Sequence, residues 1–561
     1  MAAKHAHFTR VAMFALTAAM PAVAQAQAPP APAAACENLR TATVPAGKIG
    51  LPTSGAKTTS ATYNPAAGTL PRTVGAFCRV NIEIAPVDPE APPIKMEINL
   101  PDDWNGKALM FGGGGHNGII LSTGGTIRLQ PPEAPIPLGR GYVTFGGNGG
   151  HDASAGATFA LNDEALRNYA FDAVKRTRDT AVALIKARYG KPADKLYFHG
   201  SSNGGKEALG FIQRYPRDLD GAIIFWPATY FSSLSMLHTR LSRALLQPGA
   251  WPSVAKRKAL QDAVIEACDG LDGVKDGVVS NVRACMAKFD PAKATLAGRP
   301  LRCAEGVDTG DDCLSDAQIK ALKVMTTPLK LDYALASGLR EYPGFYTWGA
   351  GLGVSEADQL SKDVLAQGLG TLAPASPVKP GMAFDYNFAD LFTRYFVTRN
   401  PDASVTDVDP EHPGKWRQRY VELSRMMEMS KTDLGDFRRH GGKILLFHGL
   451  SDQIIPPQST VDYYRRIVGE MGQGTVSSFV KFYELPGTAH SGNGVTFNPT
   501  WDALGALDTW ISKGTPPASP TVTDTHFKPG RTRPLCEYPA WPKYKGSGDI
   551  DQATSFVCSR S

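Results

Sequence analysis

The chain has no apolar run long enough to cross a membrane. Its longest candidate, Val11 to Val23, falls well short of the ~20 residues that a spanning helix needs. It has no dense block of Lys and Arg, so the net charge of +6 spread over 561 residues gives no footprint for nucleic acid. No C-x-x-C pair is present, which removes the usual zinc ribbons and redox motifs. No internal repeat is visible, and the 12-residue EF-hand pattern is absent. Hydrophobic content of 42% and charged content of 20% are those of a soluble globular protein, and the length calls for more than one folding unit.

What is present begins with an export signal. Lys4 and Arg10 precede the short apolar run, and Ala22, Ala24, Ala26 and Ala28 offer A-x-A cleavage sites, so residues 1–28 read as a signal peptide. The mature protein is expected to be soluble and secreted or periplasmic, with no membrane partner. The eight cysteines, Cys36, Cys78, Cys268, Cys285, Cys303, Cys313, Cys536 and Cys558, agree with an oxidising compartment. Eight allow 105 pairings, and their local clustering favours nearest neighbours.

Residues 29–75 are rich in Pro, Ala, Gly and Thr and read as an irregular opening segment. Strand-like runs follow at 78–84, 94–100, 108–111, 142–145, 195–199 and 222–225. Helical periodicity appears over 168–189 and 204–215. Strands alternating with helices imply a parallel sheet covered on both faces. The alternation breaks from about 229 to 440 and resumes with strands at 443–447 and 479–484 and a helix at 501–511. The fold class expected is α/β, an α/β-hydrolase fold with a large inserted lid domain: residues 29–228 and 441–561 form the hydrolase domain and 229–440 the lid.

The motif that carries chemistry is Gly200-Ser201-Ser202-Asn203-Gly204, a G-x-S-x-G turn between strand and helix. Gly200 and Gly204 clear space for a strained serine, and the helix start offers the Asn203 N–H to a developing oxyanion. A hydroxyl needs a base, and this fold orders its groups Ser, then Asp or Glu, then His. Asp452 follows the strand-like run Ile444 to Phe447 and is the candidate acid. His490 follows Phe482 to Leu485 and is the candidate base. The glycine run Gly112 to Gly115, with His116-Asn117-Gly118, suits a second oxyanion donor. Its rival, a dinucleotide-binding loop, is countered by Thr123-Gly124-Gly125, which interrupts the helix such a loop requires. His199 and His448, at strand ends, read as hydrogen-bonded scaffold. His116 and His151 are either substrate contacts or loop spacers. His238, His412, His440 and His526 carry no motif. The aromatics Phe384, Tyr386, Phe388, Phe392, Tyr395 and Phe396 read as lid core rather than pocket lining.

Asp269-Gly270-Leu271-Asp272-Gly273-Val274-Lys275-Asp276-Gly277-Val278 places three carboxylates on a tight loop. Hard oxygens in that arrangement suit Ca²⁺, while a solvated acidic turn has the same spacing.

With these blocks in order, the chain resembles the tannase and feruloyl esterase family. The matching segments include Phe77-Cys78-Arg79-Val80, Trp104-Asn105-Gly106, the glycine loop, Gly149-Gly150-His151 and the elbow. They continue with Gln213-Arg214-Tyr215-Pro216, His448-Gly449 with Asp452, Pro486-Gly487 with His490, and Arg533-Pro534-Leu535-Cys536. The resemblance implies hydrolysis of small aromatic-acid esters (feruloyl or hydroxycinnamoyl, galloyl or terephthalate-type) through an acyl-enzyme. An acyltransferase or non-ester hydrolase with the same triad, or an inactive binding protein, are the other classes. The resemblance also implies oxyanion donors at Asn203 and Gly115. It implies a structural Ca²⁺ in the lid, held by Asp269, Asp272 and Asp276 with the Val274 and Val278 carbonyls. Bridges Cys36–Cys78, Cys268–Cys285, Cys303–Cys313 and Cys536–Cys558 follow from it too. The number of subunits is left open. The family usually joins a Cys before the nucleophile to a Cys after the histidine. Here those positions are Ser201 and Ser491, and packing or a hydrogen bond is expected to stand in for the staple.

Overall fold

The computed structural model describes residues 1–5, 31–69, 72–121, 123–346, 348, 368–490 and 495–561. The expected signal peptide falls mostly on residues 6–30, outside the described residues.

A ten-stranded sheet is built from strands between Thr43 and Phe225 and between Lys443 and Leu485. Its strands are β1 Thr43–Val44, β2 Ala56–Asn64, β3 Phe77–Ile84, β4 Ile94–Pro101, β5 Lys107–Phe111, β6 Val143–Gly147, β7 Lys195–Ser201, β8 Gly221–Phe225, β9 Lys443–Gly449 and β10 Val480–Leu485. The spatial order is β1-β2-β3-β4-β6-β5-β7-β8-β9-β10. The first four strands and the β4/β6 contact are antiparallel; from β6 to β10 all neighbours are parallel.

Parallel strands are buried on both faces and read as continuous apolar runs. Ala222-Ile223-Ile224-Phe225 and Ile444-Leu445-Leu446-Phe447 are such runs, and every one of these side chains is buried. Alternate residues serve opposite cores. Phe198, Ile224, Leu446 and Phe482 pack with Leu184, Phe211 and Ile212 from the helices Ala173–Tyr189 and Asn203–Arg214. Tyr197, Ile223, Leu445 and Tyr483 face Leu504, Leu507 and Trp510 of the helix Ala503–Lys513.

The opening segment is not irregular throughout. Its Thr-rich stretch forms β2, and residues from Ala56 to Asn64 pair antiparallel with β3. The composition hid this because small and hydroxylated residues also mark loops. Their β-branched members take a strand once β3 offers a partner edge.

Between β8 and β9 lies a long insertion whose described residues add no strand to the main sheet. It carries the helices Phe231–Leu245, Val254–Cys268, Asp316–Thr326, Phe384–Leu391 and Arg417–Met427, with short two-stranded ribbons. Four disulfides join Cys36–Cys78, Cys268–Cys285, Cys303–Cys313 and Cys536–Cys558, and no described cysteine is free. No helix among the described residues is long and apolar enough to cross a membrane.

The bridges with the longest and shortest loops span 42 residues for Cys36–Cys78 and 10 for Cys303–Cys313. Loop-closure entropy assigns them about 4 and about 3 kcal/mol respectively. Replacing the Cys36 and Cys78 pair by Ala should therefore lower the thermal midpoint more than replacing Cys303 and Cys313, as differential scanning fluorimetry would show.

Candidate functional site

Ser202, Asp452 and His490 follow β7, β9 and β10, at the carboxyl ends of parallel strands, where ligands bind in open α/β sheets. Ser202 has φ +59° and ψ −123°, a strained conformation for a residue with a Cβ. The crowding around it explains the glycines. A Cβ on Gly200 would lie 2.1 Å from the Gly204 carbonyl oxygen, and one on Gly204 would lie 2.6 Å from that of Gly113. The turn is stitched to the next strand by Ser202 N–H to Phe225 O (3.1 Å) and Ala228 N–H to Ser202 O (3.0 Å).

Asp452 is fully buried. Its Oδ2 meets His490 Nδ1 at 2.8 Å and His448 Nε2 at 3.2 Å, and its Oδ1 accepts the N–H groups of Ile454 and Ile455, each at 2.8 Å. Burial by itself would raise the acid's pKa. The His490 charge and the hydrogen bonds from both imidazoles outweigh it, and the carboxyl is held well below its ordinary range. His490 is 8% exposed, its own N–H reaches Gln453 Oε1 at 3.4 Å, and its ring sits 5.9 Å from that of Trp226. With Nδ1 engaged, Nε2 is the nitrogen left for a hydroxyl. No hydrogen bond between Ser202 and His490 is formed among the described residues. Such bonds are often long without substrate and tighten in the reacting complex.

Asn203 opens the helix Asn203–Arg214, so its N–H has no intrahelical acceptor. The glycine loop lies against this helix. Gly204 N–H donates to Gly113 O at 3.0 Å, and a Cβ on Gly114 or Gly115 would meet open space. Gly115 has φ +53°, and its carbonyl accepts from Tyr169 Oη at 3.0 Å.

Two neighbours of the loop escaped the sequence reading. Glu207, fully buried, accepts from Gly113 N–H and Asn117 Nδ2, each at 2.8 Å, and from Asn203 Nδ2 at 3.1 Å, pinning the loop to the elbow helix. Burial raises its pKa. Lys206 beside it is pushed down to about 7 by burial, and its ammonium lies over the rings of Tyr169 (4.7 Å) and Phe231 (5.0 Å). The available signal was this charged pair in the first turns of a helix whose next residues, Ala208 to Ile212, are apolar or glycine.

His448 takes the scaffold position expected of it, bonded to Thr460 Oγ1 (2.8 Å) and Ile455 O (3.1 Å) as well as to Asp452. His199 accepts Arg128 N–H at 3.1 Å, and burial lowers its pKa to about 3. His116 and His151 stack on Phe388 (4.1 Å) and Phe159 (3.8 Å). Tyr386, Phe392 and Phe396 are core, as expected. Phe388 is core as well, and it also reaches the glycine loop through His116.

The family model "Tannase and feruloyl esterase" matches residues 78–559. The chain belongs to the tannase and feruloyl esterase family. It is 38% identical over 98% of its length to an uncharacterized esterase of Agrobacterium fabrum, 98% of which is covered. It is 29% identical to the mono(2-hydroxyethyl) terephthalate hydrolase of Piscinibacter sakaiensis, over 83% of this chain and 81% of that one. A probable feruloyl esterase of Arthroderma benhamiae is 30% identical, with 88% of each chain covered. The crystal structure of feruloyl esterase B from Aspergillus oryzae superposes with a TM-score of 0.74 at 23% identity, covering 94% of this chain and all of the other. These likenesses make the protein a carboxylic ester hydrolase with the α/β-hydrolase fold.

Where the resemblance implies a cysteine before Ser202 and another after His490, this chain has Ser201 and Ser491. Ser201 is half-buried at the end of β7, and Ser491 lies outside the described residues. The acidic loop of the esterase is largely closed on its own amides. Asp269 accepts Gly277 N–H at 3.0 Å, Asp272 Oδ1 accepts Val274 N–H at 3.2 Å, and Asp276 Oδ1 accepts Val278 N–H at 2.9 Å. Asp276 Oδ2 pairs with Arg533. Among the described residues no three His, Cys, Asp or Glu side chains are gathered to hold a metal. One feature does fit a cation: Asp272 Oδ2 is buried without a hydrogen-bond partner, and burial with the Asp276 and Asp269 charges raises this carboxyl to about 7.

The contacts at Gly204 lead to an expected outcome. Gly204→Ala should abolish esterase activity because its methyl group would collide with the Gly113 carbonyl. Circular dichroism should show a folded protein, since the clash is confined to the elbow.

Proposed function

We propose that this chain is an exported serine esterase that hydrolyses esters of aromatic acids, of the feruloyl, galloyl or terephthalate type. The observation that carries the reading is the 2.8 Å bond between buried Asp452 and His490, presented by adjacent strands on the same sheet end as the strained Ser202. His490 Nε2 takes the proton of Ser202, and Oγ attacks the ester carbonyl. The oxyanion accepts the N–H groups of Asn203 and Gly115. Collapse of the tetrahedral adduct breaks the C–O bond, and the proton passes from His490 to the departing alcohol. Water then repeats the sequence on the acyl-enzyme and releases the acid. Asp452 orients the imidazole and stabilises its cation.

The substrate class is supported by the relatives, named for terephthalate and feruloyl esters, and by the aromatic side chains Phe231 and Phe388 packed around His116 beside the glycine loop. Residues 229–440 act as a lid over this crevice. Export agrees with the four disulfides and the leader-like N-terminus.

A panel of feruloyl, galloyl and terephthaloyl esters run beside Ser202→Ala tests the reading. Turnover should fall to background in the variant, and a fluorophosphonate should label Ser202 alone in the wild type. Retained hydrolysis in Ser202→Ala would refute the triad. Because Asp452 is held well below the ordinary carboxylate range, its protonation should not limit kcat/KM in mildly acidic solution, which a pH profile of the wild type would show.

The Asp269, Asp272 and Asp276 carboxylates with the Val274 and Val278 carbonyls would hold Ca²⁺ as a structural ion, relieving the orphaned Asp272 oxygen. Elemental analysis of the purified protein should find about one calcium per chain. Chelator should lower the melting temperature; a melting curve that ignores chelator, with no calcium found, rules the ion out.

A further inference from the structure

His238 carries no motif, yet it touches the turn that holds the catalytic acid. It lies in the helix Phe231–Leu245, fully buried, and its Nε2 is 2.9 Å from the carbonyl oxygen of Ile454. A carbonyl can only accept, so Nε2 carries the proton and donates it. The N–H of the same peptide plane belongs to Ile455, and it donates to Asp452 Oδ1 at 2.8 Å. One rigid amide therefore has His238 at its oxygen and Asp452 at its hydrogen. A donor on the carbonyl polarises the amide and strengthens what the N–H gives.

The ring itself is held by the insertion. Asp385, in the helix Phe384–Leu391, brings Oδ1 to 3.5 Å from His238 Nε2; it is buried, and neither carboxyl oxygen has a hydrogen-bond partner. Phe388 of the same helix meets the ring edge-on at 6.0 Å, and Phe345 lies parallel at 6.2 Å. The titratable groups facing His238 are Asp385, Asp452 and His490. Burial pushes His238 down to about 4 and raises the Asp385 carboxyl well above its ordinary value, so burial favours the neutral form of each.

We propose that His238 is a positioning residue for the catalytic acid, clamping the Ile454–Ile455 amide so that the insertion helices set the orientation of Asp452. This rests on Asp452 being the triad acid.

The test uses the full chain with His238→Leu, which keeps bulk and removes the donor, His238→Gln, which returns an N–H, and Asp385→Asn. Loss of the clamp loosens Asp452, so the His490 cation is less stabilised. The midpoint of the acid limb of kcat/KM should then move to lower pH. Removing the acid's proper function costs about 10⁴ in kcat, and a group acting through it should cost a part of that, about 10- to 100-fold, with KM nearly unchanged. His238→Gln should recover most of the loss, and Asp385→Asn should shift the limb in the same direction by less. A wild-type limb in His238→Leu overturns the proposal whatever its kcat. Should His238→Leu fail to fold, an unshifted limb in both other variants overturns it. Fluorophosphonate labelling separates the two levels. A wild-type chain unlabelled at Ser202 would sink the triad and this inference with it. Normal wild-type labelling with unshifted variants would sink this inference alone.

Discussion

A buried carboxylate is costly unless its lone pairs are met by donors. At Asp452 two backbone N–H groups and two imidazoles meet them, all within 3.2 Å. Those donors come from one turn after β9 and from His448 and His490. The carboxylate can exist in this place only if β9 and β10 stay in register and the turn keeps its shape. The apolar runs of β8 and β9, the helices on both faces and the insertion above all serve that constraint. In return the charge is fixed where an imidazole needs it.

The serine side depends on a different economy, that of space. Three backbones, at Gly200, Gly204 and Gly113, approach more closely than any side chain allows. This close approach brings the glycine loop onto the first turn of the elbow helix, where Glu207 ties both together. Electrostatics hold Asp452 and His490, and steric clearance holds Ser202 and the glycine loop. The insertion contributes to each, through Phe388 against His116 and through His238 against Ile454.

Much of the core was legible before any coordinates. Strand boundaries for β5 to β10 were readable within a few residues because buried parallel strands leave unbroken apolar runs, and those of β3 and β4 because buried and partly exposed residues alternate along them. Ser202, Asp452 and His490 stood out because each follows such a run. The cysteine pairs were readable from clustering and family resemblance. β2 was not, since its Thr and Ser residues look like loop until β3 is beside them. Glu207 and His238 were not either. Neither lies in a motif, and their importance comes from contacts with residues tens to hundreds of positions away.

Spacing and side-chain size along the chain set the strand–helix alternation, the strained elbow and the order of Ser202, Asp452 and His490, because each of these is a local pattern. Packing between distant segments settles that His448 joins His490 at Asp452, how the glycine loop is pinned and which insertion helix leans on the Asp452 turn. Those outcomes depend on distances through space between segments that no local pattern relates.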